Sequence, residues 1–175
     1  PELQSLRQQT DELLSMVGAL TKQIRLMAHD LRPPALATLG ISGVLEDYIY
    51  DFAEGSGLEI DYQNTGTPPL PADVSICLYR FLQVALTNVS KHTHASHAQV
   101  NLQCAADYVR LSVSENDRTR DSAQRTPLFD EFAQIQQYIE LLNGQLTVEV
   151  SAEHGLQITA QIPLSEPTQN SAQKP

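Results

Sequence analysis

The first 31 residues carry the strongest constraint on this chain. Leu3, Leu6, Thr10, Leu13, Val17, Leu20, Ile24, Met27 and Leu31 alternate spacings of three and four, with Gln, Arg, Asp and Lys among the residues between them. That alternation keeps one narrow apolar stripe on a single side of a helix, which is the heptad seam of a coiled coil. So narrow a stripe is buried better by a partner helix than by a broad domain surface. It predicts a parallel homodimer through residues 3–31.

Pro33 and Pro34 interrupt the seam, since proline removes an intrahelical bond and crowds the carbonyl four residues back. Helical spacing resumes through Ile41, Val44, Leu45, Tyr48, Ile49 and Phe52, and the run "EGSG" at 54–57 ends it. The period then changes. "LEIDYQN" from Leu58 alternates as a strand, and "TGTPPLPAD" reads as a loop whose Asp73 caps a helix over 74–92. "AQVNLQC" and "YVRLSVS" alternate as two strands joined by a tight "AAD" turn. A polar stretch, 115–127, leads to a helix from about 129 to 143 that stops at Gly144. "QLTVEVSA" and "LQITAQIPL" then form a closing hairpin. The tail 165–175 has too little apolar surface to order itself.

Composition narrows the function classes. Apolar residues make up 41% of the 175, enough for a globular core, so wholesale disorder is excluded. A net charge of −10 argues against a nucleic-acid surface, which needs clustered Lys and Arg. Cys77 and Cys104 form no disulfide framework and no metal spacing, and both read as small core residues in a reducing cytoplasm. No apolar run approaches the ~18 residues of a membrane span. The chain opens already in helical rhythm, so a longer parent is expected, whether soluble or the cytoplasmic part of a membrane-bound sensor.

"LRPPALATLGI", "LYRFLQVALTNVSKHTHAS", "YIELLNGQLTVEV" and "ITAQIPL" occur in this order between residues 31 and 164. Together they resemble the C-terminal half of a two-component sensor histidine kinase, in the subgroup typified by nitrate and fatty-acid-desaturation sensors (NarX and DesK type). The resemblance implies an α+β chain: coiled-coil-like dimerisation helices, then an α/β sandwich of the GHKL (Bergerat) type, with a mixed sheet and helices on one face. The implied domains are a dimerisation and phosphotransfer-type helical region over 1–54 and an ATPase-like domain over 58–164. "AHDL" places His29 beside Asp30 as in a phosphoacceptor box, where the carboxylate assists the attacking imidazole. Spacing opposes that role. Only one further helix fits between His29 and Leu58, and the "LRPPAL…LGI" element belongs to the second helix of the family's hairpin, which puts the acceptor upstream of Pro1.

The same resemblance assigns a nucleotide site. Asn88 matches a Mg²⁺-binding asparagine, Lys91 and His92 a basic pair, and Glu115 with Asn116 the strand end that reads adenine. Several positions depart from it. Val84 stands where a carboxylate is needed, and an apolar side chain neither ligates Mg²⁺ nor polarises water. Glu115 replaces an aspartate, and Asp117 and Thr119 replace the glycines of the following turn. "FDE" (Phe129, Asp130, Glu131) replaces a second glycine turn, with two further carboxylates. All eight glycines lie at 18, 40, 43, 55, 57, 66, 144 and 155, so none falls between 67 and 143. Glycine turns let backbone N–H groups approach phosphates, and side chains there obstruct them.

The expected function is therefore two-component signalling by a dimeric module with a degraded nucleotide pocket, acting through interaction as a pseudokinase. No cofactor is expected, and ATP with Mg²⁺ would be needed only under the alternative of an active protein-histidine kinase. A third reading is a small-ligand sensor on the same shell. Expected partners are a second copy and either a response regulator or a partner histidine kinase. "HTHASH" brings His92, His94 and His97 close in sequence as a zinc candidate, against the simpler reading of an exposed loop.

Overall fold

The computed structural model describes residues 36–66, 69–117, 126–151 and 155–164. The seam of 3–31, His29, Asp30, Pro33, Pro34, Thr119 and the tail 165–175 lie outside these residues. So do the side chains of His92, Phe129, Asp130 and Glu131.

Helix α1, Leu36–Ser56, is two helical pieces merged across Gly40, whose φ of 68° and ψ of 179° are not helical. Its apolar spacing buries Ile41, Val44, Leu45 and Ile49. Tyr48 meets Tyr79 of the next helix edge-on at 5.5 Å. Ser42 Oγ lies 3.2 Å from Tyr62 OH and accepts from Asn64 Nδ2 at 2.7 Å, so the same helix also fastens to the first strand. The segment 41–54 thus packs on its own chain. Gly57 closes the helix at φ 72° by donating to Ala53 O.

Strand β1, Glu59–Thr65, leads through helix α2, Ala72–His92, to strand β2, His97–Cys104, which runs parallel to β1. Strand β3, Tyr108–Glu115, returns antiparallel, and helix α3, Thr126–Leu141, precedes the hairpin of β4, Gln145–Ser151, and β5, Gly155–Pro163. The sheet order is β1-β2-β3-β5-β4, mixed, with β5 inserted beside β3. Alternation sends Ala98, Val100 and Leu102, Val109, Leu111 and Val113, and Leu156, Ile158, Ala160 and Ile162 to one face. There they meet α2 through Leu78, Phe81, Leu82, Ala85, Leu86 and Val89, and α3 through Phe132, Ile135 and Ile139. Each large side chain buried in this layer contributes about 1.5–3 kcal/mol, which makes α2 the central support of the sheet.

Three local expectations are corrected. Asp73 is not the cap of α2: Pro71 holds that position, and Asp73 sits in the first turn with its Oδ1 accepting from Val74 N–H at 2.9 Å. A carboxylate there still favours the positive end of the helix dipole. Helix α3 begins at Thr126 rather than 129 and ends at Leu141. Its stop is Asn143, at φ 56°, while Gly144 N–H donates to Ile139 O at 2.9 Å. Cys77 is fully buried as expected, whereas Cys104, the last residue of β2, is only half-buried.

Candidate functional site at the end of the third strand

The alternation that turns Val109, Leu111 and Val113 inward does the same to Glu115, which is 4% exposed. A carboxylate at the end of a core-facing row needs hydrogen bonds, since burying it without them costs several kcal/mol. Glu115 Oε1 accepts from Leu156 N–H at 3.0 Å, and its Oε2 accepts from Asp117 N–H. These bonds tie β3 to the start of β5. Gly155 makes the approach feasible: its φ is 73°, and a Cβ there would fall inside contact distance of Glu115 O and lie 3.0 Å from Asp117 O.

The next two residues hold the loop that follows α2. Asn116 Oδ1 accepts from Ser96 N–H at 3.1 Å and His97 N–H at 3.2 Å, and its Nδ2 lies 3.2 Å from Ser96 Oγ. Asp117, 7% exposed, accepts from His94 N–H through Oδ2 at 2.9 Å. Thr93 shapes the start of that loop by donating both its N–H and its hydroxyl to Val89 O. The last turn of α2, the loop 93–96 and the residues 115–117 are therefore brought to one end of the sheet.

Asn88 lies on this part of α2, fully buried, with its Nδ2 3.5 Å from Val84 O one turn back. Val84 is half-buried and Lys91 is exposed. The fold thus brings Asn88, Glu115 and Asn116 to the same end of the sandwich, with Lys91 on the outside of the helix. The sequence reading missed the engagement of Asp117 with the loop and of Glu115 with Leu156. The alternation of β3 was enough to mark Glu115 as inward-facing, but an amide 41 residues away has no sequence signal.

Among the described residues no three His, Cys, Asp or Glu groups converge on a metal position, and the side chain of His92, one of the three histidines of "HTHASH", lies outside them. His97 starts β2 on the open face of the sheet, and its Nε2 lies 3.1 Å from Asp61 Oδ2. His94 is exposed and held through its backbone. A shallow concavity of about 210 Å³ lies on that same open face, around Arg110, Thr147, Glu149, Thr159 and Gln161. There Arg110 donates twice to Gln161 Oε1 and lies over the Tyr108 ring. No described helix is long and apolar enough to cross a membrane.

No family model matches the chain. Its curated relatives include the sensor histidine kinase MctS of Rhizobium johnstonii, 34% identical over 161 residues, or 89% of this chain and 34% of that protein. They also include the signal transduction histidine-protein kinase/phosphatase DegS of Brevibacillus brevis, 28% identical over 88% of this chain and 40% of that protein. The chain therefore spans well under half the length of either. Among solved structures, the histidine kinase domain of the Erythrobacter litoralis EL346 blue-light activated kinase superposes with a TM-score of 0.58 at 17% identity, covering 71% of this chain and 61% of that one. The ATP-binding domain of PrrB from Mycobacterium tuberculosis superposes at 0.55 with 20% identity, over 72% and 95%. The sandwich is thus the GHKL fold of histidine-kinase ATP-binding domains, and the chain is a homologue of sensor histidine kinases.

Proposed function

We propose that this chain is a two-component signalling module that keeps the histidine-kinase scaffold but no longer uses ATP, and acts as a dimeric pseudokinase through protein contacts. One observation carries the reading. At the turn after β3, where a phosphate-binding backbone must be bare, Asp117 is a buried carboxylate engaged with His94 N–H. The neighbouring residues fit Mg²⁺·ATP equally poorly. Val84 supplies no ligand, and both oxygens of Glu115 accept from the protein's own backbone. Adding a polyanion beside these carboxylates, without glycine turns to cradle it, is electrostatically unfavourable.

The partners proposed for it are a second copy through residues 3–31 and either a response regulator or a partner histidine kinase, in the cytoplasm. The domain boundaries proposed are those of the sequence, a helical region to 54 and an ATPase-like domain from 58 to 164. His29 is not proposed as a phosphoacceptor. Incubating the natural full-length protein with radiolabelled ATP tests the enzymatic half of the reading. No acid-labile label is expected; any such label would restore the active-kinase alternative, and its loss in the His29→Gln variant would place it on His29.

A further inference from the structure

Three consecutive side chains at the end of β3 take the backbone N–H groups of five residues. Glu115 accepts from Asp117 and Leu156, Asn116 from Ser96 and His97, and Asp117 from His94. Two of the three acceptors are carboxylates with 4% and 7% exposure. Ionised carboxylates only accept, and their bonds to N–H groups are about twice as strong as neutral ones. We propose that Glu115 and Asp117 form an internal clasp, replacing the ordering effect of a bound ligand. It fixes the loop after α2 and the start of β5 onto β3, so this end of the sheet keeps one arrangement with no nucleotide bound.

The two substitutions suit that role. Glutamate at 115 has the reach to place one oxygen on Leu156, across the strand pair, and the other on Asp117, two residues along its own chain. Aspartate, one methylene shorter, spans less of that distance. A glycine at 117 would leave His94 N–H without this acceptor. Gly155 belongs to the same device, because any side chain there would push β5 away from the Glu115 and Asp117 carbonyls. The residues that oppose a nucleotide are thus the residues that hold the junction together. The inference rests on the proposed function but makes a separate claim, that these carboxylates order the junction.

Amide hydrogen exchange followed by NMR on the whole chain tests it, with and without Mg²⁺·ATP. In the wild type, the amides of His94, Asp117 and Leu156 should be protected without nucleotide. Glu115→Gln leaves one acceptor oxygen for two amides, so exchange at Leu156 or Asp117 should accelerate about tenfold or more, equivalent to about 1.4 kcal/mol. Asp117→Ala should do the same at His94, while Leu111 and Ile158 in the central strands keep their protection. If Glu115→Gln fails to fold, Glu115→Asp and Asp117→Ala provide the same readout. Rapid exchange at these three amides in the wild type, or unchanged protection in the variants, overturns the clasp. Added protection from Mg²⁺·ATP, with the variants still losing theirs, leaves the clasp standing and sinks the nucleotide-free reading. No nucleotide effect and no loss in the variants does the opposite.

Discussion

Asn143 and Gly144 close α3 by separate means, and the difference can be measured. Asn143 holds the left-handed conformation at φ 56°, a position glycine adopts with less strain. Gly144 does not need positive φ; a Cβ there would lie 2.6 Å from Gln161 O and 2.9 Å from the Ile139 side chain. Asn143→Gly should therefore change stability by less than about 0.5 kcal/mol, and Gly144→Ala should cost about 2 kcal/mol or more in urea unfolding. The opposite ranking would mean that the Asn143 side chain holds the turn and that position 144 has room for a Cβ. At this scale the sequence marked where the helix ends but not which residue does what, because a left-handed residue and a close backbone approach both favour glycine. The same limit applied at residues 115–117. Their positions followed from the motif resemblance, while their partners at 94, 96, 97 and 156 are fixed only by the sheet.

Among the elements, α2 was read almost to its ends, because its apolar residues recur at helical spacing between a proline loop and β2. The strands were legible for a similar reason, as each has one core face and one polar face. The start of α3 was not: Thr126 and Pro127 follow a polar stretch, and a proline in the first turn gives no apolar period. Burial of Cys77 on α2 and of Tyr48 on α1 also predicts a response to alkali. Desolvation pushes the Cys77 thiol from 9.0 up to about 12 and the Tyr48 phenol from 10.0 up to about 12. Both groups stay neutral in the fold at a pH where the unfolded chain has already released their protons. Their contribution to stability is full below about pH 9 and is lost as pH rises towards 12, at up to about 1.4 kcal/mol per pH unit for each proton. Urea midpoints measured from about pH 8 to 10.5 should fall, with Cys77→Ala showing a shallower fall. A midpoint independent of pH over that range would contradict the burial of these groups.

For the whole molecule, the heptad seam and the sandwich make separate demands. The seam predicts a dimer, so light scattering should give about twice the 19.3 kDa chain mass. Leu13→Glu combined with Leu20→Glu should yield monomer, since charges at a seam cannot be desolvated without cost. A wild-type monomer at high micromolar concentration would refute the dimer without affecting the fold. The claim about the nucleotide site is tested most directly by calorimetric titration of the wild-type chain with ATP in the presence of Mg²⁺. No binding with a dissociation constant below roughly 100 μM, or about −5.5 kcal/mol, is expected, and a constant below that value would contradict the loss of nucleotide binding.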